Sequence, residues 1–341
     1  MLETIWFILW GVLWAVYFML GGFDLGLGTL MPFIAKSDEE RRVIYNATGP
    51  FWDGNEVWLL TAGGVTFAAF PGTYAVMFSS LYSALMLVLF GLILRGVSFE
   101  FRSKVNSDSW RKVWDFCLFV GSFVPALLFG VAFANIFQGI PIDQNGVYQG
   151  TLFTLLNPYG LLGGIFFLLL FLVHGAIWLA VKGSGEIGER GQNAAKKLWP
   201  VLLVVAVLFL IYSAFATKLY DNYLNNFLLW IIPLLAVLAL LANRMFMGQG
   251  AWWKAWFASA ATIVFCTFFG VVGLYPYLLP SSLDPKFGMS IHNSASSPLT
   301  LKIMLAVALV MVPVVIIYQA WAYNLFKHKI TAEDLAQEES Y

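Results

Sequence analysis

The chain has 341 residues, of which 60% are hydrophobic and only 11% charged. A soluble domain carries about 25% charged residues, so this composition defines an all-α polytopic membrane protein and excludes a soluble enzyme. Lys plus Arg equals Asp plus Glu at 19 each, which gives no reason to expect nucleic acid as a partner.

Nine apolar segments follow in chain order, at about 4–31, 53–70, 73–98, 113–137, 159–181, 198–217, 227–247, 253–278 and 299–326. Each is read as a membrane-spanning helix from its length and apolarity. They would form one integral membrane domain over 1–341, built as two four-helix bundles plus one helix. Met1-Leu2-Glu3 has no basic n-region and no cleavage signal follows it, so the first helix is expected to be retained. The connections carry turn chemistry, as in Pro71-Gly72, Asn157-Pro158 and Gly183-Ser184-Gly185. Ser297-Pro298 offers an N-cap followed by proline, which would start the ninth helix. Pro125, Pro233 and Pro313 sit inside apolar runs and are expected to kink them. Cys117 and Cys266 lie in apolar segments without metal-type spacing, so they are read as structural thiols.

Charge then fixes orientation. If nine helices alternate, only Lys218, Lys286 and Lys302 fall on one side and the other sixteen basic residues on the opposite side. The positive-inside rule puts the N-terminus outside and the C-terminus in the cytoplasm. It also favours counting 53–70 as a span, since omitting it scrambles the asymmetry. Glu333, Asp334, Glu338 and Glu339 read as a solvated acidic end.

The second segment is the informative one. Its apolar run, Val57 to Phe70, has fourteen residues and rises about 21 Å at 1.5 Å per residue. That is short of a hydrocarbon core about 30 Å thick, so Asp53 and Glu56 are drawn toward headgroup depth or below. An acid there is by default a functional-site hypothesis. Asp53 could be an N-cap with Glu56 at the third helical position, as in a capping box. The pair could equally carry protons at the mouth of a hydrophilic path, and both readings can hold together.

Asp24 stands among glycines in Gly21-Gly22-Phe23-Asp24-Leu25-Gly26-Leu27-Gly28. The Gly22/Gly26 step permits close helix approach and is expected to meet a large apolar partner. The aspartate itself needs a cation or hydrogen-bond donor, and Arg95 lies at similar depth. His174 is the one histidine well inside a span, and the residues favour a hydrogen-bonded core histidine over a haem ligand. The tryptophans Trp6, Trp10, Trp14, Trp252, Trp253 and Trp256 read as belt and packing residues.

At these residues the sequence resembles subunit II of the cytochrome bd quinol oxidases. The matching stretches include Gly22-Phe23-Asp24-Leu25-Gly26-Leu27-Gly28, Trp52-Asp53-Gly54-Asn55-Glu56-Val57-Trp58-Leu59 and Arg95-Gly96-Val97-Ser98-Phe99-Glu100-Phe101-Arg102. Gly121-Ser122-Phe123-Val124-Pro125 and Ser296-Ser297-Pro298-Leu299-Thr300-Leu301 agree as well, and the likeness runs nearly end to end. The resemblance implies a multi-pass protein of the prokaryotic inner membrane, in a heterodimer that oxidises quinol and reduces oxygen to water with cytoplasmic proton uptake. Haem b and haem d would be held by subunit I, which also carries the quinol-oxidising loop. This chain would ligate no metal, would supply no catalytic group of its own, and leaves room for a small single-helix subunit. Asp53, with Glu56 and Asp24, would serve proton transfer. Trp52, Arg95 and Asp24 would line a groove for a quinone or a lipid. A proton-coupled transporter is the rival from another class, since it too needs buried acids.

Overall fold

The computed structural model describes residues 1–336, apart from the side chains of 332 and 333. The acidic residues Glu338 and Glu339 lie outside the described residues. Asp334 accepts hydrogen bonds from Thr331 N (2.7 Å) and Thr331 Oγ1 (2.9 Å), so it caps a short helix rather than dangling in solvent.

The chain is helical throughout its apolar length. Helix α1 (Leu2–Ile34) has 33 residues, about 50 Å of rise, enough to cross the membrane and project beyond it. Amphipathic α2 (Asp38–Thr48) starts at a Ser37/Glu40 capping box. Then come α3 (Trp52–Ala69), α4 (Pro71–Ser80), α5 (Tyr82–Phe101) and α6 (Asp108–Gln138). A short α7 (Leu152–Leu155) precedes α8 (Pro158–Lys182), α9 (Gly185–Ala216) and short α10 (Asp221–Asn225). The chain continues through α11 (Ile231–Gly248), α12 (Trp252–Leu274), α13 (Pro298–Leu325) and α14 (Ala332–Ala336). Strands β1 (Tyr277–Leu279) and β2 (Met289–Ser290) pair antiparallel between α12 and α13.

Eight of these helices are long and apolar enough to cross a membrane: α1, α5, α6, α8, α9, the 3-10/α11 unit, α12 and α13. Helix α3 has 18 residues and packs along α1. The expected span 73–98 is not one helix. It breaks at Leu81, where φ −95° and ψ 12° leave the helical region. Ser79 Oγ donates back to Ala75 O at 2.7 Å just before the break, a local bond that bends helices. Pro125 and Pro313 do lie inside helices. Pro233 instead falls in the first turn of α11, after the 3-10 turn Phe227–Trp230, where its missing N–H costs no helical hydrogen bond. The Ser297 side chain accepts from Thr300 N and starts α13 as expected.

Helices α1 and α3–α6 group together, α8, α9, α11 and α12 form a second group, and α1 and α8 join the two. The seam is the Gly22/Gly26 face. A side chain at Gly22 would come within 2.6 Å of the Phe171 ring, and one at Gly26 would run into the Phe171 carbonyl. Gly175 of α8 is equally tight, with Leu27 N at 2.5 Å from any Cβ. The small-residue face therefore packs within this chain, not against a partner. The stripe signals a close crossing but not whose helix makes it.

Beside this seam Trp14, Phe18, Phe129, Phe133 and Phe167 interlock at ring separations of 5.0 to 6.4 Å. Trp10 Nε1 donates to Thr66 Oγ1 at 3.0 Å, and Trp6 Nε1 donates to Leu301 O at 3.0 Å. These tryptophans are packing residues, whereas Trp253 is 39% exposed. Helix α13 stands apart. Only 6% of its apolar window is buried within the chain, so lipid or another subunit must cover it.

Candidate functional site

Three helices bring charged side chains together inside the bundle. Asp24 on α1 is 2% exposed and Arg95 on α5 is 1% exposed. Arg95 Nη2 lies 3.6 Å from Asp24 Oδ2, while Arg95 Nη1 donates to Glu56 Oε1 of α3 at 2.9 Å. One guanidinium thus bridges two carboxylates. Two close approaches accompany this. Gly121 of α6 leaves the Arg95 backbone room to pass, since a Cβ there would meet Arg95 N at 2.7 Å. Gly96 makes room for Trp52, whose ring atoms would lie 3.2 Å from any Cβ.

The aromatic side of the arginine is built from Trp52 and Phe99. Their rings stack at 5.3 Å and 6°, and the Arg95 guanidinium carbon sits 5.8 Å from the Trp52 ring and 5.6 Å from the Phe99 ring. Such cation–π contacts stabilise a cation that has left water. Trp52, Asp24, Glu56 and Arg95 therefore share one neighbourhood.

Asp53 does not join it. The helix starts at Trp52 with Phe51 as N-cap and no side-chain cap bond, so Asp53 occupies the first turn and points outward, exposed. The capping-box reading of Asp53 and Glu56 is thereby overturned: the helix begins two residues earlier than an N-cap aspartate requires. Asp53 still complements the positive N-terminal end of α3.

Asn55 is the residue the sequence reading missed. It is 0% exposed. Its Nδ2 donates to Asp24 Oδ2 at 2.7 Å and to Leu20 O at 3.2 Å. Its Oδ1 accepts from Gln319 Nε2 at 3.1 Å and from the Tyr323 hydroxyl at 2.9 Å. Gln319 also accepts from Trp58 Nε1 at 2.7 Å. A buried amide needs partners on both sides, and here they tie α13 to the charge cluster. The signal was present in the sequence: Gln319 and Tyr323 are four apart in an apolar run, so they share a helix face.

On the far side of Asn55 a groove of about 1020 Å³ opens between α1, α3, α12 and α13. Its walls are apolar, with Gln319, Tyr323, Asn324 and Lys327 at one end. Trp52, Arg95 and Asp24 do not line it; they lie behind Asn55.

His174 is fully buried, with Nε2 3.0 Å from Met19 O and its ring stacked on Trp256 at 5.3 Å and 22°. Its other ring nitrogen, Nδ1, is buried without a hydrogen-bond partner. Among the described residues no group of three or more His, Cys, Asp or Glu could hold a metal ion. Cys117 and Cys266 are free thiols.

A second ionic network closes the same end of the bundle. Arg102, 1% exposed, meets Asp115 at 2.7 Å and Asp38 at 2.6 Å, under the Tyr45 ring. Burial lowers its pKa, but the two carboxylates outweigh that and raise it. Glu40 pairs with Arg190. Burial pushes Glu40 up, yet the Lys36 N–H and Arg190 together hold its carboxyl below the ordinary value.

Long apolar helices around a bridged pair of carboxylates define a class: a multi-pass membrane protein with a charged site sealed inside its helix bundle. Comparison with known proteins makes the assignment particular. The sequence model of the family described as cytochrome bd terminal oxidase subunit II matches residues 2–326. The chain is 40% identical to the probable cytochrome oxidase subunit 2 of Haemophilus influenzae, covering 95% of this chain and 93% of that protein. It is 37% identical to the cytochrome bd-I ubiquinol oxidase subunit 2 of Escherichia coli, over 98% and 96% of the two chains. The Bacillus subtilis cytochrome bd ubiquinol oxidase subunit 2 is 34% identical, with 98% of each covered. The chain belongs to the cytochrome bd terminal oxidase subunit II family. It is thus a subunit of an oxidoreductase complex, in the bacterial inner membrane. The structure of bd oxidase from Geobacillus thermodenitrificans shares the fold, with a TM-score of 0.76 over 95% of this chain and 98% of that one, at 18% identity.

Proposed function

We propose that this chain works as subunit II of a quinol oxidase that reduces oxygen to water, and that its Asp24–Arg95–Glu56 cluster takes up protons from the cytoplasm. The observation that carries the reading is the single guanidinium bridging the buried Asp24 and half-buried Glu56 carboxylates. With both acids ionised the trio has charge −1, and one proton makes it neutral. A cluster whose neutral form differs from its charged form by one proton is a natural loading site in a medium of low dielectric. Asp53, exposed in the first turn of α3, would stand at its mouth and gather protons for Glu56.

In this reading nine spans, α3 included, place the N-terminus outside and the C-terminus in the cytoplasm, and residues 1–341 act as a single integral membrane unit. Haem b and haem d reside in the larger subunit I, and their chemistry is electron transfer from quinol to oxygen. This chain packs against that subunit, whose apolar surface would cover part of the unburied face of α13, and a small single-helix subunit would complete the contact. The apolar groove beside α13 fits the long chain of a quinone or a lipid. Trp52 and Arg95 serve the cluster rather than that groove. Glu56 lies near the start of α3 and Arg95 near the end of α5, not at a recurring pair of broken helices, which weighs against a proton-coupled transporter.

The test is to isolate the native complex, record its reduced-minus-oxidised spectrum and measure quinol-driven oxygen uptake. Haem bands with a larger co-purifying subunit support the reading. A colourless protein that moves a solute refutes it.

A further inference from the structure

Among the described residues four tyrosines are fully buried: Tyr17, Tyr45, Tyr159 and Tyr223. Three have a protein partner. Tyr45 donates to Trp114 O at 3.4 Å, Tyr159 pairs with Ser213 Oγ at 2.8 Å, and Tyr223 donates to Phe269 O at 2.8 Å. The Tyr17 hydroxyl has none in hydrogen-bond geometry, although it faces the Glu56 carboxylate.

It is not orphaned alone. Asp24 Oδ1, Arg95 Nε and Arg95 Nη2 are likewise buried without a hydrogen-bond partner. The backbone accounts for this convergence. Gly21 lets the Tyr17 ring lie along α1, since a Cβ there would come within 2.9 Å of the ring. The phenol can then extend toward Asp24, seven residues and about two turns further along. Its ring is wedged by Trp14, Phe18 and Phe129 at 6.4, 5.7 and 5.3 Å, so the hydroxyl is aimed rather than free to turn away.

Buried polar atoms are almost always paired, and where protein does not pair them water does, given two to four polar contacts. We propose that Tyr17 Oη, Asp24 Oδ1, Arg95 Nε and Arg95 Nη2 enclose a water-binding pocket beside Glu56, with Tyr17 the positioning residue that holds the water in line between the two carboxyls. Its use in turnover rests on the proton-loading reading above; its existence does not. The step it provides is a transfer along one chain of hydrogen bonds. The Glu56 carboxylic O–H breaks as its proton passes to the water, and an O–H of that water breaks as its proton passes to the Asp24 carboxylate. One O–H bond forms for each that breaks, and the cluster's charge changes only when a proton enters or leaves.

Hydroxyl-radical footprinting of the assembled native complex tests the pocket, because a bound water delivers the radical to its neighbours however deep they lie. Tyr17 is expected to be modified at least about tenfold faster than Tyr159 and Tyr223, since it alone contacts buried water. Modification as slow as theirs overturns the proposal. In a Tyr17→Phe complex with unchanged haem content, oxygen reduction is expected to slow and its pH profile to shift, a change that loss of packing alone does not produce. A parent-like profile overturns the positioning role. Fast modification of Tyr17 together with a Glu56→Gln complex that turns over like the parent upholds the pocket and overturns proton loading.

Discussion

Between residues 21 and 28, α1 turns one face to α8 and another to α3 and α5, and different physics holds each. Toward α8 the contact is dry and made backbone to backbone, with Gly22 and Gly26 against Phe171 and Gly175 against Leu27. Toward α3 and α5 the contact is polar, with Asp24 held by Asn55 at 2.7 Å and Arg95 at 3.6 Å. The glycines and the aspartate look like one motif in sequence but belong to two devices. One fixes how near the two helix groups lie, and the other maintains a charged site that apolar packing would not need.

The largest expected effect lies on the dry face. Gly26→Leu places a side chain into the Phe171 carbonyl, where backbone cannot yield, so the haem-containing complex should not accumulate in membranes. Parent-level yield would show that the α1–α8 crossing is looser than described. Next comes the polar face. Arg95→Met leaves Asp24 and Glu56 buried without their cation, a loss on the order of 3–5 kcal/mol. The detergent-solubilised complex should melt at lower temperature. Arg95→Lys should recover only part, because a point charge does not bridge two carboxylates as a guanidinium does. Equal melting of all three forms would mean that the cluster is solvated in the membrane.

These two faces were unequally legible. The Asp24–Arg95 pairing follows from depth and charge alone, and the apolar lengths of the spans suffice for the fold class. The Gly22/Gly26 partner was misread because a small-residue stripe is silent about which helix fills it. Asp53 was misplaced because aspartate is a favoured N-cap, whereas Phe51 takes that position without a side-chain bond. The break at Leu81 follows a serine that bonds back to its own helix, a feature hydropathy does not register. Asn55 lay unremarked between two acids, although a buried amide beside an aspartate is what such a charge needs.

A smaller effect should appear far from both faces. On the loop between α6 and α7 the Val147 N–H, with Asn145 N and Gln149, holds the Asp143 carboxyl below its ordinary value of 3.8. A depressed folded pKa means that its contribution to loop order is complete above the unfolded pKa and is lost as pH falls through the folded one. Amide exchange of residues 143–149, corrected for intrinsic rates, should therefore be constant from neutral pH to about 5 and quicken only in stronger acid. Asp143→Asn should remove that acid dependence. An exchange rate that changes near neutral pH would point to another group.

The central claim is that the polar face of α1 handles protons, and Glu56→Gln meets it most directly. Glutamine keeps the size of the side chain and can still accept from Arg95, but it cannot take up a proton. The measurement is quinol-driven oxygen uptake across pH by the purified complex, with haem content matched to the parent. The account predicts normal spectra with turnover slowed at least about tenfold, the scale of losing a proton-transfer group, and a flattened pH dependence. Parent-like turnover at every pH would contradict it and leave the Asp24–Arg95–Glu56 cluster as a structural brace.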